Sequence, residues 1–157
     1  MVTASSAVAL TQSRSPQIEA ANFLNLLIVD DDRSIRESCR EVAESLGFNA
    51  QVAESAEQAL RQLDHTDAIL LDLRPGDGSL AALHTIKKHR AEALVIVVTG
   101  YATVQSAVQA MKDGAYDYVT KPFSMGELRL LLERVATHLR LKTENRVLRE
   151  TIKSRQG

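Results

Sequence analysis

At 157 residues, with 45% hydrophobic and 25% charged residues, the chain has the size and mix of one globular domain with room for tails. A formal net charge of −1 argues against this chain alone gripping a nucleic-acid backbone, which calls for a basic face, so no direct nucleic-acid binding is expected of it. The one cysteine excludes an internal disulfide and fits a reducing, cytoplasmic setting; no run approaches the roughly 18 apolar residues of a membrane span, so no membrane partner is expected.

Residues 1–23 are rich in Ala, Ser, Thr and Gln, and lack the basic leader and apolar run of a secretory signal. They read as a flexible N-terminal tail with residual helix at 17–23. From Leu24 the pattern alternates. An apolar run at 26–29 predicts a buried strand ending in Asp30 and Asp31. Ile35, Cys39, Val42 and Leu46 recur at helical spacing until Gly47, which places Cys39 in the core. A weak second strand follows at 49–53, and Ser55-Ala56-Glu57-Gln58 has the form of a capping box opening a helix with Leu60 and Leu63 inward. The third strand, 68–71, ends at Asp72. A turn with Pro75, Gly76 and Gly78 leads to a helix carrying Leu80, Leu83 and Ile86.

The run at 94–98 is the most apolar and is expected to be the central strand; it ends at Thr99. Val104, Val108 and Met111 form the next helical stripe, closed by Gly114, and the fifth strand is expected at 116–119, just before Lys121. Ser124-Met125-Gly126-Glu127 is a second capping box at the head of a long helix. There Leu128, Leu132, Val135 and Leu139 form a face directed at the domain's own sheet. Beyond it His138, Leu141, Asn145, Leu148 and Ile152 repeat on a rotated face. That second stripe predicts a homodimer through a short parallel coiled coil, with Asn145 at a core position that favours two strands. The bland alternative is a lone solvated helix.

Strands alternating with helices imply an α/β domain with a doubly wound parallel sheet. In such sheets the site lies beyond the carboxyl ends of the strands, where the order reverses. Asp30, Asp31, Asp72, Thr99 and Lys121 all fall there. Taken singly, each has an ordinary reading as a helix-favouring acid, a loop acid, a strand-end Thr or a solvated Lys; their joint placement is what carries weight. Converging carboxylates repel, and a hard divalent cation such as Mg²⁺ relieves the conflict. Asp72 is then placed as a carboxylate nucleophile able to form an aspartyl phosphate, with Lys121 and Thr99 covering charge on the phosphoryl oxygens.

The blocks LLIVDDD, LLDL, VIVVTGYAT and YVTKPF resemble the receiver domains of two-component response regulators, over residues 24–141. The resemblance implies a flavodoxin-like (βα)5 fold with strand order 2-1-3-4-5 and an extended C-terminal helix. It implies Asp72 as phospho-acceptor, with Thr99 and Lys121 as its catalytic partners. It implies Mg²⁺ held by Asp31 directly, by Asp30 partly through water, by Asp72, and by the backbone carbonyl of Arg74. Thr99 and Tyr118 become the switch pair, the Lys121–Pro122 bond is often cis in this family, and the phosphodonor is a sensor histidine kinase. Such a protein is a signalling switch rather than an enzyme, with only self-phosphorylation from a donor and slow self-dephosphorylation. One departure stands out: Pro75 lies three residues after Asp72 where the family has four, a loop one residue short that bears on the Arg74 carbonyl.

The wording LKTENRVLRE at 141–150 resembles the linker after the receiver in sigma-54-dependent activators of the nitrogen-regulator class, so 142–157 is expected to be a helical linker. An output domain for transcription would follow, and the chain is expected to be a fragment of that longer regulator. Two other classes compete. Many phosphatases with an aspartyl nucleophile carry a second Asp two residues on, where this chain has Arg74, which stays protonated and cannot act as a base. A nucleotide-binding α/β domain would need a Gly-rich turn where this chain has DDDRS.

Overall fold

The alternation of apolar runs and helical stripes folds into five parallel strands joined by helices. The computed structural model describes residues 24–74, 78–100 and 104–156. The strands are β1 (Leu24–Val29), β2 (Phe48–Ala53), β3 (Ala68–Asp72), β4 (Leu94–Thr99) and β5 (Asp117–Thr120). The helices are α1 (Arg33–Ser45), α2 (Ala56–Leu60), α3 (Ser79–His89), α4 (Val104–Lys112) and α5 (Met125–Gln156). The sheet order is β2-β1-β3-β4-β5, and every neighbouring pair is parallel. From β1 the chain goes first to one edge and then, through β3, to the other, so the order reverses between β1 and β3 and opens a crevice at their carboxyl ends.

Because side chains alternate across a strand, the apolar runs feed two core layers. Leu26, Ile28, Leu70 and Ile96 face α1 and α5, where Cys39, Ala43, Leu128, Leu132, Val135 and Leu139 complete the layer. Leu27, Ile69, Leu71, Val95 and Val97 face the other way, against Ala59, Leu83, Ile86 and Ala110. Leu132 and Val135 are fully buried, each worth about 1.5–3 kcal/mol of transfer free energy, so the first half of α5 is fastened to the sheet as its stripe requires.

The helix signals act locally. Asp32 caps α1, its side chain accepting from the backbone N–H groups of Ser34 and Ile35. Gly47, at φ 95°, takes the left-handed conformation that ends the helix. Ser124 and Glu127 form the reciprocal capping box of α5: Ser124 N–H donates to Glu127 Oε1 at 2.8 Å and Glu127 N–H to Ser124 Oγ at 3.0 Å. Ser55 caps α2, but Gln58 Oε1 takes its hydrogen bond from Glu54 N–H, one residue earlier than the motif expects.

Several expectations are corrected. β4 is buried throughout but lies one place from the edge, and β3 is the central strand. Both are covered on two faces, so apolar content could not separate them. β5 begins one residue later than expected, at Asp117. Leu60 and Leu80 are exposed; α2 is a single short turn-and-a-half that buries the small Ala59, and Leu63 reaches the core only after the helix has ended. On α4 it is Ala110 that is buried, while Val108 and Met111 are 48% and 47% exposed. The helix rests on a four-residue edge strand that is itself only partly buried, and a small residue allows the closest approach. His138 belongs to the domain body: its ring meets Tyr116 edge-on, centroids 5.3 Å apart. Leu141 and Leu148 of the second stripe are exposed, as is Val147 beside them. The helix expected at 17–23, the turn at 75–77, and the side chains of Val104 and Ile152 lie outside the described residues.

Candidate functional site

The acids after β1 divide their duties. Asp32 is the α1 cap already described. Asp30 stays against the sheet, 4% exposed, with its N–H on the Ala53 carbonyl at 3.1 Å and its Oδ1 accepting from Asp32 N–H at 2.9 Å. Its own carbonyl accepts from Arg36 Nη1 at 2.9 Å, a buried arginine that helps fix the β1–α1 corner. Asp31 points outward, its side chain 53% exposed. Asp72 is the last residue of β3, buried, and pairs in register with Val98. Thr99 follows Val98 and is buried; its carbonyl accepts from Lys121 N–H at 2.8 Å, which carries Lys121 back over the strand ends. Lys121 Nζ stands 2.7 Å from Asp30 Oδ2 and 3.3 Å from Asp72 Oδ1. The Lys121–Pro122 peptide is cis.

Oxygens of Asp30, Asp31 and Asp72 all lie within 4.8 Å of one another. Arg74 closes over this cluster. Its Nη2 is 2.8 Å from Asp31 Oδ2 and its Nε 3.4 Å from Asp72 Oδ2. The main chain of Arg74 is tied to the buried Ser79: Arg74 N–H donates to Ser79 Oγ at 3.0 Å, and that hydroxyl donates to the Arg74 carbonyl at 3.3 Å. The donor set is all oxygen, as a hard divalent cation prefers. Asp72 Oδ1 is buried without an aligned hydrogen bond, since the Lys121 ammonium is close enough for an ion pair but off the bonding axis. A buried carboxylate oxygen in that state fits a cation ligand.

Burial, and then the charge of Asp30, raise the Asp72 carboxyl above its ordinary value, with Lys121 and Arg74 pulling the other way. Burial alone would lower Lys121, but its hydrogen bond to Asp30 and the charges of Asp30 and Asp72 outweigh this and hold it above its ordinary value. Cys39, beneath the site, is pushed up to about 11 by burial and by Asp30, as befits an inert core thiol.

Residues 26–133 match the response regulator receiver domain family. This chain belongs to that family. The receiver is 35% identical over 130 residues to the regulatory protein AtoC of Escherichia coli, covering 81% of this chain and 28% of that one. It is 36% identical over 128 residues to DctD of Rhizobium meliloti, a C4-dicarboxylate transport transcriptional regulatory protein, covering 80% and 28%. Among solved structures, NtrX of Brucella abortus is 32% identical with a TM-score of 0.71, over 81% of this chain and 29% of that one. A CheY-like response regulator receiver domain protein from Methanospirillum hungatei is 26% identical, also with a TM-score of 0.71, over 76% of this chain and 98% of that one. The receiver thus spans little more than a quarter of the curated relatives it matches.

Of the residues singled out in the sequence, Asp30, Asp31, Asp72 and Lys121 meet at one point, and Thr99 ends the adjoining strand. Tyr118 stands apart, half-buried on β5, lining an open apolar depression with Ala107, Val108 and Met111. Sequence reasoning missed the Arg74 side chain, the anchoring role of Ser79 and the buried Arg36. A signal for Arg74 existed: it lies two residues from Asp72, so on an extended chain both side chains project to the same side.

Proposed function

We propose that this receiver accepts a phosphoryl group on Asp72 from a sensor histidine kinase, and that the modified state controls an output domain. The observation that carries the reading is the convergence of three carboxylates with the Lys121 ammonium at the sheet's switch point. Asp30, Asp31, Asp72 and the Arg74 carbonyl are the groups that would hold Mg²⁺, which when bound offsets the charge of the carboxylates and of the incoming phosphoryl oxygens. A carboxylate oxygen of Asp72 forms a bond to phosphorus as the bond from phosphorus to the donor's imidazole nitrogen breaks; the pair of electrons leaves with the imidazole. Lys121, whose ammonium stands 3.3 Å from Asp72 Oδ1, pairs with a phosphoryl oxygen, and the Thr99 hydroxyl donates a hydrogen bond to another.

The switch follows as a population shift: the phosphoryl group favours the conformation in which Thr99 reaches it, and Tyr118, at the edge of an open depression, has room to follow. The protein acts as a cytoplasmic signalling switch, not an enzyme. Among the described residues no helix is long and apolar enough to cross a membrane. In the longer regulator the output would be transcription through a sigma-54-type domain, in keeping with the linker wording and with relatives such as DctD. The exposed Leu141 and Leu148 on the far part of α5 support a homodimer through that helix. The test is incubation with acetyl phosphate and Mg²⁺. One acid-stable, base-labile adduct is expected, absent in Asp72→Asn; uptake by Asp72→Asn at the wild-type rate would end the assignment.

A further inference from the structure

We infer that Arg74 is an internal competitor for the metal: its guanidinium covers carboxylate oxygens that a divalent cation needs, and it must swing out before the cation can seat. The inference rests on the reading that these acids hold Mg²⁺. Asp31 is the exposed member of the three acids, and so the one that an ion arriving from solvent meets first. Its Oδ2 is taken by Arg74 Nη2 at 2.8 Å, and the same guanidinium lies 3.4 Å from Asp72 Oδ2. Lys121 takes the other side of the cluster, Asp30 Oδ2 and Asp72 Oδ1. The acids are therefore already served by two cations, one from each flank.

Charge decides which of the two must leave. Three carboxylates against Lys121 and Arg74 keep one negative charge in excess. A dication added to both bases would leave one positive charge in excess, in a space a few ångströms across. A dication with Lys121 alone balances the acids. Lys121 is the more enclosed base, 22% exposed against 36% for Arg74, and its partner Asp30 is buried; Arg74 is the one with a route to water. The route costs no backbone movement. Both main-chain groups of Arg74 are pinned to the buried Ser79, so rotation about the side-chain bonds carries the guanidinium away while its carbonyl stays bonded to Ser79 Oγ. One residue thus offers a ligand from its backbone and a competitor from its side chain. An arginine does this better than a lysine, because its planar fork spans two carboxylates at once.

The experiment is calorimetric titration of MgCl₂ into the full chain and into Arg74→Met and Arg74→Lys, with NMR of the Arg74 Nε–H group in the wild type. Arg74→Met keeps the length of the side chain and removes its charge and fork. Its Kd for Mg²⁺ should fall by about tenfold, with Arg74→Lys in between. In the wild type the Arg74 Nε–H signal should move along the same saturation curve as metal binding. Equal Kd values for wild type and Arg74→Met, or an Nε–H signal unmoved at saturation, would overturn the competitor while leaving the metal site standing. Absence of Mg²⁺ binding by wild type and variants alike would overturn both.

Discussion

Replacing Lys121 with methionine removes the one ammonium placed between two buried acids. Lys121 Nζ is 2.7 Å from Asp30 Oδ2 and 3.3 Å from Asp72 Oδ1, with both acid side chains 4% exposed and the lysine 22% exposed. Breaking a buried pair by removing one partner costs about 3–5 kcal/mol, and the lysine's partial exposure reduces this to about 2–3 kcal/mol. Protonation limits the share of this loss that falls on Asp72. Asp72 can escape its charge by binding a proton, and from an ordinary value of 3.8 this costs about 4 kcal/mol at pH 7 but only about 1.6 kcal/mol at pH 5. Without Lys121 the folded Asp72 carboxyl is held still further above its ordinary value, and below that raised value the folded variant binds a proton that the unfolded chain releases, so folding takes up protons. The variant therefore regains stability relative to wild type as pH falls through that raised value. Urea unfolding in EDTA should show a loss of about 2–3 kcal/mol at pH 7 and a clearly smaller one at pH 5. Adding Asp30→Asn should restore most of the loss. A penalty of the same size at both pH values, or one under about 0.5 kcal/mol at pH 7, would refute the role given to Lys121.

Asp72→Asn should abolish phosphate uptake yet melt no lower than wild type in EDTA at pH 7, since burial and Asp30 already disfavour the Asp72 charge; a clear drop in Tm would contradict that. Thr99→Ala should still take up phosphate but lose the amide shifts over α4, β5 and the start of α5; identical spectra for phosphorylated and free wild type would sink the switch. Cutting the chain after Leu139 should give a monomer where the intact chain dimerises, and Asn145→Leu should loosen the preference for two strands. Sedimentation showing the intact chain monomeric at high micromolar concentration, phosphorylated or not, would rule the dimer out.

The sequence by itself determined the order of strands and helices, because that order is written in local signals. Short apolar runs end at acids, and Gly47, Gly114 and the Ser124–Glu127 box mark helix ends through backbone and side-chain chemistry within a few residues. It also placed Asp30, Asp31, Asp72, Thr99 and Lys121, since a parallel sheet sends every strand end to one side. Other features depend on what packs against what. Periodicity shows that Val108 and Met111 share a face, but only the meeting of α4 with an edge strand leaves that face open and buries Ala110 instead. The apolar content of β4 shows burial on both sides, which β3 shares, so the centre of the sheet had to come from the topology. His138 reads as part of a free stripe until Tyr116 is found beside it. In the sequence Arg74 counts for its backbone carbonyl and for a side chain that cannot act as a base; its guanidinium gains partners only when Asp31 and Asp72, 43 and 2 residues away along the chain, are brought to it. Side-chain spacing is a property of one segment; which groups become partners is decided by distances across the sheet, and those exist only once the strands have paired.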